Sequence, residues 1–198
     1  MAATAPTPRR LSAADRRGAL LAAAAREFGE RGYSGTRLDV IAAAAGVTKP
    51  IVYRHFASKK DLYLALLARH EHDLAGFTER GLAAHGDEPP ELMVRAILDD
   101  WLDYVRDNRH AWLMLFRDAS GDAEIRAKRR EVNVRAREVI AGFIAGTGTS
   151  VPADQVEPTA EMIVSGLAGL ALWWIDEPEV PKPIVLDVAA RVCAPAFA

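Results

Sequence analysis

Three times in the first third of the chain a hydroxyl residue stands three places before an aspartate, ahead of an apolar-periodic segment. These are Ser12-Ala-Ala-Asp15, Thr36-Arg-Leu-Asp39 and Ser58-Lys-Lys-Asp61. The hydroxyl can accept one of the backbone N–H groups left over at a helix start, and the acid suits the positive first turn. A chain that opens helices at such short intervals leaves little room for strands. The remainder agrees: alanine, leucine, arginine and glutamate dominate, and β-branched alternation is scarce. The expected fold class is all-α.

Breakers and periodicity divide the chain into about nine helices. The first is predicted over 13–31 and is broken by Gly32-Tyr-Ser-Gly35. A short helix over 38–45 ends at Gly46, which suits the left-handed conformation after a helix. Another short helix spans 49–55 with Pro50 in its first turn, where a missing N–H costs little. A longer one follows Ser58 to about residue 85. Further helices are predicted over 91–107, 110–118, 123–145, 159–176 and 184–192. The turn GDEPP (86–90) and a long loop over 146–158 separate groups of them.

The net charge of −2 conceals an asymmetry. Residues 1–60 hold eleven Lys and Arg against four Asp and Glu; residues 61–198 hold fourteen against twenty-three. A basic end on an acidic body implies an anion-binding module joined to a second unit. Within the basic end, two short helices joined by Ala44-Ala-Gly-Val-Thr48 form a helix-turn-helix signature, whose second helix enters the DNA major groove. Val40, Ile41, Ala44, Val47 and Val52 would pack this unit. Thr48, Lys49, Pro50, Tyr53 and Arg54 would stay outside, and Lys59 and Lys60 could neutralise phosphates.

The stretch TRLDVIAAAAGVTKPIVYRHFASKKDLYLALL (36–67), with FGERGYSGT before it, resembles the DNA-binding module of TetR-family transcriptional regulators. The resemblance covers residues 13–66. It implies a DNA-binding domain over 1–66, a linking helix to about residue 85, and an effector-binding and dimerisation domain over 67–198. It also implies roles residue by residue. Thr36 and Arg37 would face phosphate; Thr48, Lys49, Pro50 and Ile51 would face base edges; Tyr53, His55 and Lys59 would bind phosphate. Many relatives carry a small residue where this chain has Pro50, which could meet a thymine methyl but not hydrogen-bond a base. Arg9, Arg10, Arg16 and Arg17 could form an arm tracking the minor groove.

The body carries no comparably sharp motif. Ile163, Leu167, Leu170 and Trp174 form an apolar stripe, with Gly166 and Gly169 allowing close approach of another helix. With Ile184, Val185, Val188 and Val192 they suggest a four-helix interface between two subunits; the alternative is that both helices complete a monomer core. Trp101, Tyr104, Trp112, Met114, Phe116 and Trp173 are candidates to line an effector pocket, with His110 or Asn108 as a polar contact.

Other function classes find less support. His70-Glu-His72 puts its histidines on different helix faces, and no Glu-x-x-His pair accompanies Asp99, Asp100 and Asp103. The single cysteine, Cys193, permits neither an intrachain disulfide nor a cysteine-rich zinc site. The longest uncharged apolar run, residues 162–175, falls short of the roughly 20 needed to span a bilayer. The expectation is a soluble, cytoplasmic homodimer without metal or cofactor, not an enzyme. It would repress transcription from a palindromic DNA operator and be released by an unknown small, mostly apolar effector. A DNA-binding regulator without a small-molecule switch and a helical-bundle enzyme or carrier are the alternatives.

Overall fold

The computed structural model describes residues 13–86, 88–117, 121–146 and 149–197. Among them are nine α-helices and no strand. In chain order they are α1 (Ala13–Gly35), α2 (Leu38–Ala44), α3 (Lys49–His55), α4 (Lys59–His85), α5 (Pro90–Asp107), α6 (Arg109–Phe116), α7 (Ala123–Gly146), α8 (Val156–Asp176) and α9 (Lys182–Cys193). The Ser12 cap and the arginines Arg9 and Arg10 lie outside the described residues.

Local chemistry accounts for most boundaries. Gly32, at φ 69°, breaks α1 near its end. Gly46, at φ 66°, ends α2: its N–H donates to the carbonyl of Ala43 at 3.1 Å, and that of Val47 to Ala42 at 2.9 Å. Ser58 Oγ accepts from the Asp61 N–H at 3.0 Å, and the Asp61 carboxylate accepts from the Ala57 N–H at 2.9 Å, closing a reciprocal cap at α4. Asp122 performs the same service for α7, accepting from the N–H of Glu124 at 2.9 Å. Of the helices that begin earlier than periodicity predicts, three start at Pro90, Val156 and Lys182. Each holds a proline in its first turn, where no intrahelical donor is needed.

Thr36 departs from the capping reading. Its hydroxyl is buried and donates to the carbonyls of Glu27 at 2.9 Å and Gly32 at 2.8 Å. Carbonyls at the broken end of α1 claim the group that the local pattern assigns to α2, which starts without a side-chain cap.

Two apolar clusters fill the molecule. The first joins Leu20, Phe28, Ile41, Val52, Phe56 and Tyr63 of α1–α4 with Met114 and Leu115 of α6 and Ile125 of α7. The second joins Trp101, Leu102, Trp112, Phe143, Ile163, Trp174, Val185 and Phe197. The short helix α6 belongs to both. It lies along α1, and the Tyr63 hydroxyl of α4 donates to the Met114 carbonyl at 3.0 Å. Beside it, Lys60 at the start of α4 pairs with Glu124 at 2.6 Å at the start of α7. On the far side, Lys182 of α9 sits 2.8 Å from both Asp99 and Asp103 of α5.

Helix α8 corrects the sequence reading of the interface stripe. Ile163 and Trp174 are buried and Leu167 and Leu170 half-buried, all packed in the second cluster, as is Val185 of α9. The face left outside is offset by one residue: Met162, Gly166, Gly169 and Trp173 on α8, with Ile184, Val188 and Val192 on α9. An α-helix that is apolar nearly all round offers two such stripes, and only one can face its own core. The 24-residue stretch Ala153–Asp176 is long and apolar enough to cross a membrane by length and composition, contrary to the reading from uncharged runs.

Candidate nucleic-acid interface and apolar pocket

Helix α3 is held by two inward residues, Val52 and Phe56, both essentially buried. Its remaining surface faces out. Thr48, Lys49, Pro50, Tyr53 and Arg54 are exposed, Tyr53 to 50%, and Ile51 and His55 are half-buried. Lys49 Nζ lies 5.9 Å from the centre of the Tyr53 ring, so cation and aromatic share one patch. Arg17 of α1 stacks on Phe56 at 4.5 Å and donates to the His55 carbonyl at 3.4 Å. It thereby serves the negative C-terminal end of α3.

Around this helix the sequence-predicted residues separate. Arg37 is exposed, with its guanidinium paired to the Asp39 carboxylate at 2.9 and 3.0 Å; that bond holds the Asp39 carboxyl below its ordinary range. Thr36 leaves the set of outward contacts, because its side chain is buried under the α1 carbonyls. Lys59 donates to the carbonyls of Tyr33 at 2.8 Å and Thr36 at 2.9 Å and lies 4.4 Å above the Tyr33 ring. Two of its three N–H donors thus tie the end of α1 to the start of α4. Lys60 is engaged by Glu124 and, at 3.7 Å, Asp122.

The body holds a partly open cavity of about 140 Å³ between α4, α5, α6, α7 and α8, lined also by Cys193 of α9 and by Phe197. Trp101, Trp112 and Phe116 line it as the sequence predicts. Trp112 stacks on Phe116 with ring centres 4.9 Å apart, and Trp101 meets Trp112 edge-on at 5.6 Å. Five other candidates do not line it: Tyr104, Trp173, His110, Asn108 and Met114, the last buried in the core of the head. Trp173 points away from the core and is 49% exposed. Tyr104 packs behind the wall against Phe77 and shares a 2.6 Å hydrogen bond with His70. His110 turns toward α1, its backbone against Gly29. Ile163 and Leu167, expected at the subunit interface, line the cavity instead.

Sequence reasoning centred on aromatics missed the wall supplied by α7. Val132, Ala136, Val139, Ile140 and Phe143 recur at spacings of 4, 3, 1 and 3, a helical stripe legible in advance. Burial pushes the Cys193 thiol up to about 11, so it contributes a protonated, apolar surface.

An outward basic helix after a glycine turn, carried on a body with its own cavity, defines the class: a transcriptional regulator that reads DNA through a helix-turn-helix. Similarity to known proteins narrows it. The model for bacterial regulatory proteins of the tetR family matches residues 20–66, and that for the tetracyclin repressor-like C-terminal domain matches 90–191. The chain belongs to the TetR family.

The chain is 29% identical over 183 residues to the HTH-type transcriptional activator FasR of Mycolicibacterium smegmatis, covering 92% of this chain and 81% of that protein. It is 30% identical over 182 residues to the HTH-type transcriptional regulator CymR of Pseudomonas putida, covering 86% and 88%. A TetR-like regulator from a Rhodococcus species superposes with a TM-score of 0.76 at 23% identity, over 93% of this chain and 96% of that one. FadR of Bacillus subtilis, solved with stearoyl-CoA, gives 0.70 at 16% identity, over 91% and 97%. AibR, solved with isovaleryl-CoA and operator DNA, gives 0.66 at 24% identity, over 91% and 98%.

Proposed function

We propose that the protein is a homodimeric repressor that a small, mostly apolar effector releases from a palindromic operator. Each subunit places α3 in a major groove. Thr48, Lys49, Pro50 and Ile51 meet base edges; Tyr53, Arg54 and His55 meet phosphate, with Arg37 and the remaining donor of Lys59 at the flanks. The domain boundary falls after residue 66, α4 continuing into the body. The apolar face of Met162, Trp173, Ile184, Val188 and Val192 is covered by the same face of a second copy, and the glycines at 166 and 169 allow close helix approach. That pairing, rather than a bilayer, accounts for the exposed apolarity of α8, and the protein works in the cytoplasm where its DNA lies.

One observation carries the regulatory part. The eight-residue α6 presents Trp112 and Phe116 to the cavity and Met114 to the core of the head. A ligand that displaces the two rings therefore moves a helix wedged against α1. It releases DNA only by the difference in its affinity for the two arrangements. FadR and AibR, solved with acyl-CoA ligands, support a small-molecule effector for this chain as well. Selection of bound sequences from a random duplex pool, followed by titration of apolar compounds into the complex, tests the reading. A palindromic site released by ligand is expected; binding that no cavity ligand alters would leave a regulator without a small-molecule switch. The FasR relative is an activator, so a reporter fused to the selected site decides the sign of regulation.

A further inference from the structure

The first turn of α4 carries three charges, and they are used differently. Lys59 donates to the carbonyls of Tyr33 and Thr36, and the Asp61 carboxylate accepts from the Ala57 N–H, so both act inside the head. Lys60 reaches out of it. Its Nζ lies 2.6 Å from the Glu124 carboxylate and 3.7 Å from that of Asp122, both at the N-terminal end of α7. Asp122 is fixed there through its other oxygen, which accepts from the N–H groups of Glu124 at 2.9 Å and Ile125 at 3.2 Å.

The seating of α7 does not depend on this contact. Ile125 and Val132 are buried in the core of the head, and Lys128 pairs with Glu71 of α4 at 2.6 Å, both side chains mostly covered. The pair of Lys60 and Glu124 is the more exposed of the two, at 39% and 58%. Exposed ion pairs are weak, so a second anion can compete for the ammonium. Three residues, 56–58, separate the helix that carries Lys60 from the C-terminal end of α3. A phosphate beside Tyr53, Arg54 and His55 is such an anion.

We infer that Lys60 is a further contact to the DNA phosphates, withheld from the duplex by Glu124 and Asp122. In this arrangement α7 neutralises the ammonium; withdrawal of the start of α7 frees it for the backbone that flanks α3. A phosphate contact carries no sequence information, so the pair sets how tightly duplex is held and not which operator is chosen. Val132, Ala136 and Val139 of the same helix line the cavity, Val132 standing about 12 Å along α7 from Glu124 at 1.5 Å per residue. A shift of that wall is also a shift of the acid that holds Lys60. The inference rests on α3 being the groove helix and adds a contact whose availability the body controls.

The test is a double-mutant cycle in the full chain: Lys60→Gln, Glu124→Gln and both together, titrated with a selected operator duplex and with a random duplex over a range of salt. Glu124→Gln is expected to tighten both complexes by about two- to fivefold and to steepen the slope of log affinity against log salt by about one. The same substitution on the Lys60→Gln background should change neither. Lys128→Gln, which breaks the covered pair, should lower the thermal midpoint and leave the slope where it was. Affinity and slope unmoved by Glu124→Gln overturn the inference. So does a gain that persists without Lys60, which assigns it to direct repulsion between Glu124 and the duplex, and so does an equal change of slope in Lys128→Gln. A wild-type chain that binds neither duplex overturns the groove assignment of α3 and this contact with it; wild-type binding with a flat cycle overturns this contact alone.

Discussion

Gly29 of α1 lies against the main chain of His110 so closely that a Cβ at residue 29 would stand 2.6 Å from the His110 carbonyl oxygen and 2.9 Å from its Cα. Both obstacles are backbone, so neither can swing aside. Alanine ordinarily gains up to about 1 kcal/mol over glycine inside a helix, but overpacking costs about 1–3 kcal/mol. Gly29→Ala should therefore lower Tm by roughly 2–8 °C. It should also change the ligand concentration that half-releases DNA, since it pries α6 from the head. A variant with unchanged Tm would remove Gly29 from the account of coupling.

On α3, Lys49→Ala removes an exposed charge without touching the Val52 and Phe56 anchors. Operator affinity should fall, and the slope of log affinity against log salt should shrink by about one. Tyr53→Phe, which keeps the ring and removes the hydroxyl, should weaken binding by a smaller factor at all salt concentrations. Thr36→Val makes the opposite case: stability should drop by about 1–3 kcal/mol as the carbonyls of Glu27 and Gly32 lose their donor. Fluorescence anisotropy with labelled operator, paired with thermal melts, separates these effects.

The two stripes of α8 are separable by substitution. Trp173→Glu together with Val188→Glu should yield a folded monomer in sedimentation at micromolar concentration, with operator affinity greatly reduced, because each buries an unpaired charge in the proposed interface. Ile163→Ala should leave the dimer intact while costing about 2–5 kcal/mol of folding stability. A dimer that tolerates both glutamates would place the interface elsewhere.

His70 gives a pH signature. Burial holds its imidazole far below the ordinary 6.5, at about 4, while Tyr104 shares a hydrogen bond with Nδ1. Between those values the unfolded chain binds the extra proton. Stability is therefore fully present above about pH 6.5 and declines as pH falls toward 4, by on the order of 3 kcal/mol from this group. His70→Gln should flatten the difference in denaturation midpoint across that window and leave the neutral plateau little moved. An identical slope in the variant would assign the acid sensitivity to other groups.

What could be read in the sequence was mostly local. The glycine at 46, the Ser58–Asp61 cap and the prolines in first turns act within a few residues, so the pattern and the structure coincide there. Thr36 shows the limit, since the same pattern lost to carbonyls nine and four residues upstream. Trp173 and Trp174 show another: neighbours on α8, one is exposed and the other is buried with its indole N–H bonded to the Val180 carbonyl at 2.9 Å. Periodicity finds an apolar helix but not which of its faces has a partner. Lys59 is legible as a cation but not as a tie between α1 and α4, because that role depends on where Tyr33 ends up.

The sharing of α6 between two cores has an evolutionary corollary. Six helices line the cavity, yet among its lining residues only Leu74 of α4, Leu115 and Phe116 of α6 and Val132 of α7 also pack in the core of the head. Substitutions among the other lining residues can thus re-specify what is sensed while the operator-reading surface stays in register. The same scaffold is open to retuning as a biosensor by mutating only those residues.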